Sequence, residues 1–128
     1  MVTCHPIMRK KILIVDDDAD ILELLTVILE ESGYEVRTLS CGDTVFESID
    51  AYNPDLMLMD VMLADMDGRE ICKSVKQHDL NYLFPIILIS GTHDLAELLG
   101  EEGAPNDFIE KPLDIDFLLQ KVEKHLSA

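Results

Sequence analysis

Reactive side chains follow the apolar runs of this chain at the point where each run ends. They are Asp16 and Asp17 after residues 11–15, Asp60 after residues 56–59, Ser90 after residues 85–89 and Lys111 after residues 107–110. Ligands collect at the carboxyl ends of parallel strands, so these groups should converge if the runs belong to one sheet. Two carboxylates ~5 Å apart repel by about 3 kcal/mol at an effective dielectric near 20. Three of them persist in one crevice when a cation offsets their charge or when one carboxylate takes up a proton.

The ligand types in this cluster favour a hard cation, because oxygen atoms are offered without His or Cys. Mg²⁺ fits best, since it uses one or two carboxylates, keeps waters and bridges to phosphate. Lys111 adds a point charge for a phosphate oxygen, and Ser90 adds a hydroxyl donor. The set therefore predicts a phosphoryl-transfer site in which Asp60 attacks phosphorus while Asp16 and Asp17 hold the metal.

Each group also has a purely structural interpretation. The run Asp16-Asp17-Asp18 is, taken alone, equally compatible with a solvated helix start. It also imitates a calcium-binding loop, but Ile21 stands where that loop requires glycine and Val27 where it requires glutamate, so calcium is excluded. Ser90 before Gly91 is compatible with a turn, and Lys111 with a surface lysine. The occurrence of such groups at four strand ends favours the functional interpretation.

The hydrophobic pattern predicts one α/β domain that positions these groups. Residues 11–15, 56–59 and 85–89 are continuous apolar runs, as in parallel strands buried on both faces. Residues 34–39 alternate, which suits an edge strand, and residues 107–110 form a brief strand. A first helix is predicted with its apolar stripe at residues 21–29, capped by Asp18 or Asp20 and ended by Ser32-Gly33. Further helices are predicted around residues 43–52, 67–78 and 115–126, with a short fifth helix that contains Leu95, Leu98 and Leu99. Right-handed crossovers then give a flavodoxin-like, doubly wound parallel sheet with strand order 2-1-3-4-5.

Composition narrows the class of protein. The 128 residues are 48% hydrophobic and 28% charged, as in a globular domain. Residues 1–10 are predicted to be a flexible leader and residues 11–126 the domain, with no apolar run near the ~18 residues of a membrane span. The net charge of −16 argues against direct binding of nucleic acid, which needs Lys and Arg.

The cysteines and histidines show no metal-binding spacing. Cys4, Cys41 and Cys72 are odd in number and fit reduced thiols of a cytoplasmic protein, with Cys41 and Cys72 predicted to pack on helices. The histidines are predicted to lie at the surface; they are His5, His78, His93 and His125.

Four segments together resemble the receiver domain of two-component response regulators. They are Ile14-Val15-Asp16-Asp17-Asp18, Leu58-Met59-Asp60 with Asp67-Gly68, Ile89-Ser90-Gly91, and Phe108-Ile109-Glu110-Lys111-Pro112. The resemblance covers residues 11–126. It implies phosphorylation of Asp60, Mg²⁺ held by Asp16, Asp17, Asp60 and the backbone carbonyl of Met62, and a cis Lys111-Pro112 bond.

The same resemblance implies a switch and its partners. Ser90 would move to the phosphoryl group, and the ring of Phe108 would turn inward. The donor would be a phosphohistidine on a sensor histidine kinase or a histidine phosphotransfer protein. A downstream effector would bind the face formed by the short helix, the Phe108 strand and the last helix. The domain would act on itself alone, by its own phosphorylation and dephosphorylation, rather than as an enzyme on other substrates.

The sequence departs from the family pattern near the site. The family often has proline in place of Ala64 and alanine in place of Gly91. Met62 and Thr92 occupy the two positions whose residues set the rate of dephosphorylation in the family. From the sequence we expect a receiver domain alone, without an output domain after the last helix.

Three other functions compete with this hypothesis. An aspartate-nucleophile phosphatase of the haloacid-dehalogenase type needs an acid where this chain has Met62, together with a cap domain. A degenerate receiver that acts without phosphate conflicts with the complete set of Asp, Ser and Lys. A flavodoxin conflicts with the acids after the first strand, which repel a phosphate when no metal is bound.

Overall fold

A computed structural model describes residues 9–78, 83–91 and 103–127 of the chain, with His78 described by its backbone alone. Most of the predicted leader, the short helix predicted at Leu95, Leu98 and Leu99, and Thr92 lie outside these residues. Four helices and five strands are formed by the described part of the chain. They are β1 (Lys11–Val15), α1 (Ala19–Glu31), β2 (Glu35–Leu39), α2 (Val45–Tyr52), β3 (Leu56–Asp60), α3 (Gly68–His78), β4 (Ile86–Ser90), β5 (Asp107–Glu110) and α4 (Ile115–Leu126).

The five strands form one parallel sheet in the order β2-β1-β3-β4-β5, which confirms the predicted order. β3 and β4 are buried along their whole length, as their continuous apolar sequences predict. β2 lies at an edge and is largely exposed, with Val36 and Leu39 partly buried against opposite halves of the core.

The core has two halves because successive side chains of a strand point to opposite faces of the sheet. On one face, Leu13 and Met57 belong to the cluster that includes Val45 of α2 and Val75 of α3. On the other face, Ile12 packs in the cluster formed with Leu25 of α1 and Leu118 of α4. Helices on both faces give the doubly wound arrangement of the flavodoxin-like fold. Among the residues that the structure describes, no helix combines the length and the apolar character of a membrane span.

Two of the predicted placements are wrong. Cys41 is not part of a helix: it lies in the loop between β2 and α2, half-buried, and its Sγ donates to Asp43 Oδ1 at 2.8 Å. His125 is not a surface residue: its side chain is 17% exposed, and Nε2 lies 3.0 Å from Asp107 Oδ2. Its position three residues after the buried Val122 places it on the inner face of α4. Cys72 is buried in the core as predicted.

Candidate functional site

Three carboxylates meet at the carboxyl edge of the two central strands. Val15 pairs with Met59 in the register of β1 and β3, so Asp16 and Asp60 follow at the same level of the sheet. One carboxylate oxygen from each of Asp16, Asp17 and Asp60 lies within 4.8 Å of the others. This convergence is the one that the strand ends predict.

Asp16 is a buried carboxylate whose negative charge is disfavoured by its surroundings. It is 1% exposed, and its Oδ1 accepts a hydrogen bond from the Asp18 backbone N–H at 2.8 Å. Its Oδ2 is buried and has no hydrogen-bond partner among the described residues. Burial, followed by the negative charges of Asp60 and Asp17, raises the pKa of the Asp16 carboxyl above its usual value, while the Asp18 N–H and Lys111 oppose this shift. This buried oxygen could therefore serve as a ligand atom for a cation.

The local sequence fixes the direction of the Asp16 carboxylate. Asp18 is the N-cap of α1, and its side chain accepts from the backbone N–H groups of Asp20 and Ile21 at 2.9 and 3.4 Å. The turn between β1 and α1 is therefore tied at both ends, by the Asp16 acceptor and by the cap. The acid run serves as a helix start and as part of the carboxylate cluster at the same time.

Asp60 is the centre of the cluster. Its side chain is 4% exposed, and Oδ2 lies 3.1 Å from Lys111 Nζ, whose side chain is 34% exposed. Its other oxygen, Oδ1, accepts from the backbone N–H of Met62 at 3.1 Å. One buried carboxylate therefore contacts an ammonium and a peptide N–H and lies close to two further acids.

Lys111 and Ser90 reach this edge from the neighbouring strands. Ser90 ends β4, is fully buried, and pairs with Glu110 in the register of β4 and β5. The Lys111 backbone N–H donates to the Ser90 carbonyl at 2.8 Å, so the two residues are joined where their strands end. The Lys111-Pro112 bond is cis, as the family resemblance implies.

The remaining predicted residues lie around this pocket. The Met62 side chain is 70% exposed, while its backbone N–H contacts Asp60. Phe108 is part of β5 and packs, partly buried, against the core half that includes α2 and α3. Asp67 precedes α3 and accepts from the Arg69 N–H at 2.8 Å, as a cap residue does.

Two residues support the pocket through contacts that the sequence did not predict. A Cβ at Gly68 would lie 2.3 Å from the Asp60 carbonyl oxygen, so only glycine allows α3 to begin this close to β3. Asp65 accepts from the backbone N–H of Gly42 at 3.0 Å and so ties two loops together. The Asp67-Gly68 pair is the sequence signal for the contact of Gly68 with β3, whereas no local signal indicates the hydrogen bond between Asp65 and Gly42.

A buried aspartate, two neighbouring acids and a lysine at one edge of a doubly wound sheet are the arrangement typical of receiver domains. The model of the response regulator receiver domain family matches residues 12–123, and the chain belongs to this family. It is therefore a receiver domain of a two-component signalling system.

Similar proteins agree with this assignment. The chain is 41% identical over 106 residues to the alkaline phosphatase synthesis transcriptional regulatory protein PhoP of Bacillus subtilis, across 82% of this chain and 43% of PhoP. It thus spans less than half of that relative. A putative response regulator from Chloroflexus aurantiacus has 34% identity and a TM-score of 0.83, with 94% of this chain and 99% of that one covered. The BeF3-activated N-terminal receiver domain of Klebsiella pneumoniae RstA has 29% identity and a TM-score of 0.82, with 93% and 100% covered.

Proposed function

We propose that Asp60 accepts a phosphoryl group from a phosphohistidine of a sensor histidine kinase or a histidine phosphotransfer protein. The observation that carries this proposal is the setting of Asp60, a buried carboxylate 3.1 Å from the Lys111 ammonium and within 4.8 Å of two other acids. A carboxylate oxygen forms the new bond to phosphorus while the bond from phosphorus to the imidazole nitrogen breaks. The electron pair of that bond stays with the imidazole.

The donor set fits Mg²⁺. Asp16, Asp17 and Asp60 offer oxygen atoms alone, and the buried Oδ2 of Asp16 lacks a partner among the described residues. We infer that these three residues and the backbone carbonyl of Met62 would hold the ion. Bound there, it would supply positive charge against the phosphoryl oxygens and the clustered carboxylates.

The chain's own residues divide the remaining work. Lys111 holds Asp60 Oδ2 before transfer and neutralises a phosphoryl oxygen afterwards. The Met62 N–H fixes the other oxygen, Oδ1, so the carboxylate has one orientation. The Ser90 hydroxyl donates to the phosphoryl group, and Phe108 responds by turning inward. The domain also releases its own phosphate, and it catalyses no reaction on other substrates.

The phosphorylated domain then binds a downstream effector protein or domain through the face that contains β5 and α4. PhoP of Bacillus subtilis is a transcriptional regulatory protein, and this chain matches 43% of it. We infer that residues 11–126 supply the receiving function, with no direct contact to nucleic acid or membrane. A cytoplasmic location, where kinases of this type present their phosphohistidine, stays a prediction.

Intact-mass spectrometry after incubation with acetyl phosphate and Mg²⁺ tests the proposal. The expected result is a gain of one phosphoryl group that Asp60→Asn abolishes. Asp116→Asn, which changes an exposed aspartate of α4, is the matched control and should keep the gain. No gain, or a gain that survives Asp60→Asn, would exclude phosphorylation at this residue. If Mg²⁺ also failed to bind near millimolar concentrations, a degenerate receiver would be favoured.

A further inference from the structure

The outer edge of β5 is closed at Phe108 by two side chains. β5 lies at the end of the sheet, with β4 on one side. The Phe108 backbone N–H donates to Asp107 Oδ1 at 2.9 Å, and the Phe108 carbonyl accepts from Lys121 Nζ at 2.7 Å. Both backbone groups of this residue are therefore satisfied without a further strand.

The same ammonium also lies over the Phe108 ring. Lys121 Nζ is 5.3 Å from the centroid of the Phe108 ring and 4.7 Å from that of Phe117. Both distances fall within the range of cation–π attraction. Lys121 thus contacts the carbonyl of Phe108 and its ring with one group.

An ion pair anchors this lysine. Lys121 Nζ lies 2.8 Å from Asp107 Oδ1, and the two side chains are only 19% and 14% exposed. His125 contacts the other oxygen of Asp107. Burial alone would raise the pKa of the Asp107 carboxyl, but the hydrogen bonds from Lys121, His125 and the Phe108 N–H together lower it. The Asp107 carboxylate is charged at neutral pH, so it holds the Lys121 ammonium in place through this ion pair.

We propose that Lys121 is a positioning residue whose ammonium holds the Phe108 ring in its half-buried position and so opposes the inward turn of the switch. This inference rests on the proposed role of Phe108. An inward turn of the ring breaks the contact with the ammonium, whereas the bonds from Lys121 to Asp107 and to the Phe108 carbonyl do not depend on the ring. Lys121 therefore shifts the equilibrium toward the inactive state. The apparent affinity of the domain for an activating ligand falls by the same factor.

The test measures how readily variants are activated by Mg²⁺ and BeF3⁻, the reagent that activates the similar RstA domain. Lys121→Met removes the charge and keeps the length of the side chain. Lys121→Gln also removes the charge but keeps a donor for the Phe108 carbonyl, and Lys121→Arg keeps a cation. Lys124→Met, at an exposed position of the same helix, is the control for net charge.

The readout is the fluorine NMR spectrum of protein that carries fluorophenylalanine at its four Phe positions. Phe108→Leu assigns the resonance of interest. We expect Lys121→Met and Lys121→Gln to lower the half-saturating BeF3⁻ concentration about three- to tenfold, the range of one cation–π contact. Without additives, their Phe108 resonance should lie part of the way toward the activated wild-type position. Lys121→Arg and Lys124→Met should resemble the wild type.

The outcomes separate the inference from the proposed function. If the fluorine spectrum of the wild type does not change on addition of Mg²⁺ and BeF3⁻, both the inference and the proposed function are overturned. A wild type that responds, beside Lys121 variants with an unchanged half-saturating concentration, overturns the inference alone. A merely structural role for Lys121 would lower the urea midpoint without tightening activation, and this result also overturns it.

Discussion

Removal of the Asp16 charge tests whether the three carboxylates form an ion-dependent cluster. Asp16→Asn keeps the shape of the side chain and an oxygen for the Asp18 N–H, but removes a negative charge from a residue that is 1% exposed. We expect the variant to be more stable than the wild type when Mg²⁺ is absent. When Mg²⁺ is added, the free energy of unfolding of the variant should rise much less than that of the wild type.

The magnitude follows from the spacing of the acids. At 4.8 Å and an effective dielectric near 20, one pair of carboxylates repels by about 3.5 kcal/mol. Repulsion from the exposed Asp17 is weaker because solvent screens it. The substitution also removes the attraction between Asp16 and Lys111, which offsets part of the lost repulsion. We therefore expect the free energy of unfolding of the metal-free protein to rise by about 1–2 kcal/mol. For the wild type, Mg²⁺ at a hundred times its dissociation constant adds about 2.7 kcal/mol. The order of stability therefore reverses between chelator and saturating Mg²⁺.

Urea unfolding in EDTA and across a Mg²⁺ titration measures both effects. Glu23→Gln, an exposed charge on α1, is the control for general relief of the net charge of −16 and should follow the wild type within about 0.5 kcal/mol. The reasoning is refuted if Asp16→Asn is less stable than the wild type in EDTA. A stabilisation by Mg²⁺ as large as that of the wild type would refute it equally.

Two further predictions concern the surroundings of the pocket. Gly68→Ala puts a Cβ 2.3 Å from the Asp60 carbonyl oxygen, so urea unfolding should reveal a loss of about 1–3 kcal/mol. The control Gly91→Ala, whose Cβ meets nothing within 4 Å, should be neutral or up to about 1 kcal/mol more stable, and equal losses at both glycines would contradict the account. Asp107→Asn tests a carboxyl whose folded-state pKa lies below 3.8 because hydrogen bonds outweigh the effect of burial. Such a group stabilises the fold above its unfolded pKa and loses that contribution as pH falls through the lower folded value. The wild type should therefore exceed this variant in unfolding free energy at about pH 7, and the difference should shrink as pH falls below the ordinary aspartate value of about 4. A difference that is independent of pH would argue against the network.

The sheet and its order were predictable because burial on both faces leaves a strong local signal. The continuous runs of β1, β3 and β4 and the alternating pattern of β2 set which strands are central and which lies at an edge. The helix bounds followed from caps, since Asp18 and Gly33 begin and end α1 through local chemistry. Strand and helix limits elsewhere differ by one or two residues at most.

The carboxylate cluster was predictable for a topological reason, whereas its supports were not. Once the strands are parallel, residues that follow them must share one edge, which brings Asp60 and Lys111 to 3.1 Å. The contacts of Gly68 with β3, of Asp65 with Gly42 and of Lys121 with Phe108 depend on how loops and helices pack. Apart from the Asp67-Gly68 pair, no period or motif in the chain indicates those contacts.

The most direct test of the central claim is a map of the phosphorylated residue itself. Protein treated with acetyl phosphate and Mg²⁺ is reduced with borohydride, which converts an aspartyl phosphate to homoserine, and its peptides are sequenced by mass spectrometry. The account predicts homoserine at position 60 and nowhere else. Homoserine at Asp16 or Asp17, or none at any position, would contradict it.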